Sequence, residues 1–164
     1  MATTVRNCIS GLFLSALAAV AMGACNGTDQ PPPADGPELA QLPAELAGTS
    51  WTLVAFQSND DAIGTVTPEP AQDYVMTLGA TGDVSMTLNC NSASGSWSAT
   101  ASSPTSGGFA FGPLAMTRAF CLPPSMDVQI ATDAQYVRSY FLSDGQLALD
   151  LMADGGTYIW APAP

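Results

Sequence analysis

Lysine and histidine are both absent from this 164-residue chain, whose only cations are Arg6, Arg118 and Arg138. With 14 acidic residues, the formal net charge is −11. Phosphate binding needs clustered Lys or Arg, so the composition excludes a nucleic-acid partner and polybasic attachment to anionic lipid. The lack of His excludes Ser–His and Cys–His catalysis and His-containing zinc sites. We therefore predict no enzyme, metal or cofactor, and rank a hydrolase based on Asp or Ser last.

The first 24 residues are predicted to be a lipoprotein signal peptide. Arg6 precedes an apolar run over residues 9–22 that ends in small residues, as in a secretory signal. The run is shorter than the ~20 residues that a transmembrane helix needs. Residues 22–25, Met-Gly-Ala-Cys, resemble a bacterial lipobox. We expect acyl chains such as palmitate on Cys25 to anchor the protein in the cell envelope, on the outer-membrane or periplasmic side or at the cell surface. The alternative is ordinary signal cleavage and secretion.

Cysteine usage agrees with export. Of the four cysteines, Cys8 lies in the predicted signal and Cys25 would carry lipid, which leaves Cys90 and Cys121. In an oxidising compartment these two should form a disulfide. Their Cα atoms are then expected within about 7 Å of each other.

The remainder is predicted to consist of a linker and one domain. Residues 25–45 comprise the lipidated Cys25 and a flexible Pro-rich linker without apolar periodicity. Residues 46–162 form the domain. Apolar runs between turn signals predict strands at residues 51–56, 74–78, 84–88, 95–100, 109–111, 140–142, 147–152 and 157–160. Helical spacing predicts one helix over 126–135, N-capped by Ser125. The predicted fold is mainly β (α+β), an antiparallel β-barrel-like or strongly curved sheet of about eight strands with one packed α-helix.

Three blocks of this domain resemble the META/HslJ family of small envelope proteins. Residues 46–53 follow the pattern L-x-G-x-x-W-x-L, and residues 111–121 follow F-G-x-L-x-x-T-[RK]-x-x-C. Residues 89–97 are similar to G-C-N-x-x-x-G-x-[YW], with Asn89 in place of the Gly. The resemblance implies a barrel-like fold with one helix, a link to stress response or envelope maintenance, and no established enzymatic activity. This fold is similar to that of some pilotin lipoproteins, which bind a partner's peptide tail or a lipid.

The family motifs contain three candidate binding residues, Asn91, Thr117 and Arg118. Asn91 is expected to cap a turn through its side chain. Arg118 is expected to pair with Asp127 or Asp150, to bond backbone carbonyls near the second disulfide cysteine, or to bind an anion or a partner.

The functional prediction is a monomeric, non-catalytic envelope lipoprotein that serves as a binding or stress/envelope-maintenance module. Its partners would be the membrane, through the lipid anchor, and an envelope protein or peptide. The alternative is a carrier of an apolar ligand or a pilotin-like peptide-binding lipoprotein. Large inward side chains would fill a small barrel and disfavour the carrier.

Overall fold

The computed structural model describes residues 42–70 and 72–164. The predicted signal peptide, Cys25 and the linker up to residue 41 lie outside the described residues. The described residues form ten strands: β1 Thr49–Gln57, β2 Thr65–Val66, β3 Tyr74–Leu78, β4 Asp83–Leu88, β5 Asn91–Ser103, β6 Ser106–Phe111, β7 Ala115–Met116, β8 Val137–Ser143, β9 Gln146–Leu151 and β10 Thr157–Pro162. They also form one helix, α1 Asp127–Asp133, which continues into a 3-10 turn at Ala134–Tyr136.

Eight of the strands close into an antiparallel barrel. Their order around it is β1, β3, β4, β5, β6, β8, β9 and β10, and β10 pairs with β1. The closing ladder runs from Trp51 opposite Pro162 to Gln57 opposite Thr157. The short strands β2 and β7 add to β1 and β5 respectively. This architecture confirms the predicted mainly β fold with one helix, and it is a closed barrel.

Alternation along the strands places their apolar side chains inside the barrel. In β3 the first, third and fifth residues are buried, whereas the two between them are partly exposed. Inside the barrel Trp97 of β5 stacks on Phe109 of the neighbouring strand β6, with ring centroids 5.7 Å apart. Burial of side chains of this size contributes roughly 1.5–3 kcal/mol each. Large inward groups therefore fill the barrel and stabilise it.

The two mouths of the barrel are closed by different elements. Before β1, a turn over residues 43–48 buries Leu46 completely, and Leu42 packs against the core. Leu42, which precedes the predicted domain start at Leu46, thus already packs against the core. At the opposite mouth α1 buries Ile130. Tyr158 Oη on β10 donates a hydrogen bond of 2.6 Å to Asp133 Oδ2 at the end of α1, which fastens the helix to the barrel.

The observed strands differ from the predicted ones mainly around β5. This strand spans Asn91–Ser103 and β6 begins at Ser106, where the sequence predicts only residues 95–100 and a loop over 101–108. The outward positions of β5 are mostly Ser and Thr, and several inward ones are Ala or Gly. Its pattern therefore lacks apolar alternation, and pairing with β4 and β6 fixes its length.

The start of α1 also differs from the prediction. The N-cap position is Met126, and no side chain caps the helix. Ser125 Oγ donates instead to Asp127 Oδ1 at 2.7 Å. The predicted cap at Ser125 is therefore wrong by one position, and its hydroxyl belongs to the polar cluster described next.

Candidate functional site

A polar cluster lies where the β4–β5 turn, the segment after β6 and α1 meet. At its centre is Asn91, the first residue of β5, which is 4% exposed. Its Oδ1 accepts hydrogen bonds of 2.8 Å from Thr117 Oγ1 and from Ala119 N. Its Nδ2 donates to Ala119 O at 2.9 Å and to Asp127 Oδ2 at 2.8 Å. The side-chain amide thus pairs with both backbone groups of Ala119, as a neighbouring strand residue would.

The predicted role of Asn91 as a local turn cap is therefore wrong. Its oxygen partners lie 26 to 36 residues away along the chain, and its one local contact is a long one of 3.9 Å to Cys90 Sγ. The side chain connects distant elements, because a buried amide must satisfy both its donor and its acceptor. Asn91 and Thr117, which are 26 residues apart in the sequence, meet in the folded chain through this hydrogen bond.

The predicted disulfide between Cys90 and Cys121 is present, with Cα atoms 5.5 Å apart. It joins the β4–β5 turn to the segment that leads into α1, and Asn91 Nδ2 lies 3.3 Å from Cys121 Sγ. In the same turn Asn89 has φ +57°. This left-handed conformation suits Gly, and Asn is among the few other residues that adopt it readily. The cross-link and the polar cluster therefore hold the same junction.

Asp127 is the buried charge of the cluster, with 6% exposure. Burial raises the pKa of this carboxyl, but hydrogen bonds from Ser125, Asn91 and the backbone N–H groups of Val128 and Asp127 together outweigh burial and lower the pKa below its ordinary value of 3.8. Asp127 therefore remains a carboxylate at neutral pH. Hydroxyl, amide and backbone dipoles hold it without an ion pair.

The predicted ion pairs of Arg118 are not formed. Arg118 is exposed and makes no hydrogen bond or ion pair with any residue of the described part of the chain. Asp127 is held as described above, and Asp150 accepts hydrogen bonds from two hydroxyl side chains. By contrast, Arg138 donates to two backbone carbonyls. The guanidinium of Arg118 is thus available to a ligand.

Arg118 lines an open groove of about 540 Å³ between the extended segment 114–120 and α1, here called the α1 groove. Leu114 and Met116 contribute from the segment, and Ala131 from the helix. The segment lies close to β5 because residue 95 is Gly, where a Cβ would lie 2.5 Å from the backbone oxygen of Pro113, just before the segment, and 2.8 Å from the Leu114 side chain. One wall of the groove therefore consists of β7 and the residues that follow it up to residue 120.

Large apolar side chains are exposed at and beside the α1 groove. Phe120 is 84% exposed, Leu122 77% and Val128 63%, and Phe120 and Val128 line the groove itself. Exposed apolar groups that cluster in this way mark interaction surfaces. Sequence reasoning missed Phe120 and Val128. The available signal was the apolar pair that flanks Cys121 in a segment without alternation.

The barrel interior offers far less space. A pocket beneath α1, lined by Ile130 and Trp160 among others, measures about 10 Å³, which is at the lower limit for a single water. Trp160 Nε1 is buried and finds no hydrogen-bond partner among the described residues. Residues 42–70 and 72–164 contain no group of three His, Cys, Asp or Glu arranged to hold a metal ion. Over the same residues no helix has the length and apolar character to cross a membrane.

Comparison with known proteins identifies a matching family and similar solved structures. A family model described as META domain matches residues 44–163. A protein from Burkholderia xenovorans, solved by NMR, shares 24% identity with a TM-score of 0.58, over 72% of this chain and 83% of that one. A duf4847 family protein from Bacteroides vulgatus ATCC 8482, solved by crystallography, shares 14% identity with a TM-score of 0.50, over 71% of this chain and 93% of that one. At these identities the likeness concerns the fold alone. No curated protein matches the chain significantly.

Proposed function

This chain belongs to the META domain family, and we propose that it acts as a non-catalytic binding module of the cell envelope, tethered to a membrane by lipid on Cys25. Its partner is an envelope protein that presents a peptide segment to the α1 groove. Such a module suits a role in envelope maintenance or stress. In this proposal the protein binds as a monomer, because the barrel of the described residues closes on itself through the ladder between β1 and β10.

The observation that carries this proposal is the position of Arg118, whose guanidinium pairs with no described residue and lines a groove beside exposed apolar side chains. In a chain with a net charge of −11, this places a cation at the groove that could bind a carboxylate. Phe120 and Val128 add apolar area that the fold does not bury. Phe and Arg side chains are both enriched in protein–protein interfaces.

Two features support a binding role over catalysis or carriage. A general base works best with a pKa near the operating pH, whereas the pKa of Asp127 is lowered and both its oxygens accept hydrogen bonds. An apolar ligand inside the barrel would need several hundred Å³, against about 10 Å³ beneath α1. The interior is thus filled, and the open groove outside it is the better binding site.

The tether is tested separately from the groove. Mass spectrometry of the protein from the membrane fraction should identify Cys25 as the acylated first residue, with residues 1–24 removed. Cys25→Ser should shift the protein to the soluble fraction. An intact, unacylated Cys25 on a secreted chain would overturn the tether and leave the groove to be judged by its own experiment.

The groove is tested by site-specific cross-linking in cells. A photo-cross-linking amino acid at Val128, which is 63% exposed, should capture a discrete envelope protein. The same probe at Ile63, which is 56% exposed in the β1–β2 connection, is the control. Capture should weaken when Arg118→Gln is added and persist with Arg138→Gln. Equal capture from Val128 and Ile63 would contradict a specific site.

A further inference from the structure

The segment 114–120 has one hydrogen-bonded edge and one free edge. Thr117 N donates to Ser92 O at 3.0 Å, and Ala119 N donates to Asn91 Oδ1 at 2.8 Å. Successive backbone groups of an extended chain point to opposite sides. Continuing this alternation from β7 through Ala119 places the N–H and C=O groups of Met116 and Arg118 on the edge that faces away from β5, and both residues line the α1 groove.

A free strand edge of this kind pairs readily with another extended chain. Within the described residues no strand covers it, since β7 pairs with β5 alone. An incoming peptide would hydrogen-bond the backbone of Met116 and Arg118 and lay alternate side chains against Phe120 and Val128. The seven residues of α1 rise about 10 Å, which matches roughly three residues of an extended peptide.

The charged residues of the groove indicate which charge the ligand carries. Arg118 is its unpaired cation, and the carboxylate of Asp127 at the same site already accepts hydrogen bonds from Ser125 and Asn91. A second carboxylate is favourable only near Arg118, where a guanidinium can bind it through two parallel bonds. A positively charged group in the ligand would instead leave the guanidinium uncompensated.

Building on the proposed function, we infer that the partner binds by β-strand addition to the free edge of segment 114–120. The ligand is an extended peptide with an apolar side chain for Phe120 and Val128 and a carboxylate for Arg118. The carboxylate belongs either to the peptide's C-terminus or to an Asp or Glu side chain. Strand addition supplies affinity through the backbone, and Arg118 fixes register and direction.

The test begins with random short peptides displayed with free C-termini and selected on the full-length protein, with the Arg118→Gln protein for counter-selection. The best binder is then synthesised as free acid, as C-terminal amide, and with N-methyl groups on alternate residues in each of the two registers. Binding is measured by calorimetry. Arg118→Gln and Phe120→Ala are the test variants, and Arg138→Gln and Phe141→Ala, on the half-exposed outer face of β8, are the controls.

We expect N-methylation in one register to weaken binding about tenfold or more, because it removes hydrogen bonds to the edge, while the other register is tolerated. Arg118→Gln should weaken the free acid by a similar factor. If the C-terminal amide binds the natural chain as weakly as the free acid binds Arg118→Gln, the C-terminal carboxylate contacts Arg118. If the amide binds the natural chain as tightly as the free acid does, a side-chain carboxylate contacts Arg118. Both assignments support the proposal, provided that the two control variants bind normally.

Other results would overturn it. If Arg118-dependent peptides tolerate N-methylation in both registers, strand addition fails while the proposed binding module survives. If no selected peptide depends on Arg118 or Phe120, both proposals fail. Self-association in sedimentation that is lost in Arg118→Gln would assign the edge to a second copy. Phe120-dependent binding to phosphatidylethanolamine–phosphatidylglycerol vesicles, without competition by peptide, would assign the patch to lipid.

Discussion

Asn91 Nδ2 donates a hydrogen bond of 2.8 Å to Asp127 Oδ2, which joins the first residue of β5 to the first residue of α1. Both side chains are buried. The same amide holds the backbone of Ala119 in the intervening segment. The buried side chain of Asn91 therefore connects β5, the segment 114–120 and α1, the three elements around the α1 groove.

Asn91→Asp should destabilise the domain strongly. The substitution sets a second carboxylate against Asp127 and removes the Nδ2 donor, which leaves buried acceptors unpaired. We expect the free energy of unfolding, measured in urea, to fall by about 3 kcal/mol or more. The exposed loop residue Asn59 gives the matched control, and Asn59→Asp should change stability by no more than about 0.5 kcal/mol. Similar effects at the two positions would show that Asn91 does not hold the junction.

Asp127 should make stability depend on acid. Its pKa in the folded state lies below the ordinary 3.8, so between the folded and unfolded pKa values the unfolded chain binds more protons and stability rises with pH. The contribution is complete above the unfolded pKa and is lost as the pH falls through the folded one. Unfolding should be followed in urea from about pH 6 to about pH 2. The advantage of the natural chain over Asp127→Asn should shrink across that range. A constant difference would contradict this linkage.

Removing the disulfide should cost stability and loosen the groove. Cys90 and Cys121 are 31 residues apart along the chain, and replacing both by Ala should lower the free energy of unfolding by about 3–4 kcal/mol in the loop-entropy account. Reductant should destabilise the natural chain to a similar degree and leave the double variant unaffected. If reductant lowered the stability of both proteins equally, the effect would not come from this bond.

Much of the barrel follows from local pattern. The predicted strand at residues 74–78 coincides with β3, because Tyr, Met and Leu alternate there with smaller side chains. The disulfide follows from counting cysteines in an exported chain. β5 was harder to predict, since its outward Ser and Thr and inward Ala carry little hydrophobic signal, and neighbouring strands determine its extent.

The site was less predictable than the barrel, for physical reasons. Arg118 in so acidic a chain favours an ion pair on composition alone, yet Asp127 is satisfied by an amide and a hydroxyl. Those partners come from residues far apart in sequence, so their proximity depends on barrel closure. The exposure of Phe120 and Val128 likewise depends on where α1 packs.

Gly95→Ala should separate the strand wall of the groove from β5. An added Cβ would lie 2.5 Å from Pro113 O and 2.8 Å from a side-chain carbon of Leu114, so segment 114–120 must shift outward. Forcing such a contact costs about 1–3 kcal/mol.

Gly108, on the neighbouring strand β6, is the matched control, since a Cβ there meets nothing within 4 Å. Gly108→Ala should leave stability unchanged or raise it by about 0.5 kcal/mol, because Ala restricts the unfolded chain. Urea denaturation measures both variants. If the two variants were equally stable, the close approach of segment 114–120 to β5 would not depend on Gly95. Gly95→Ala should in that case bind the selected peptide as tightly as the natural chain does.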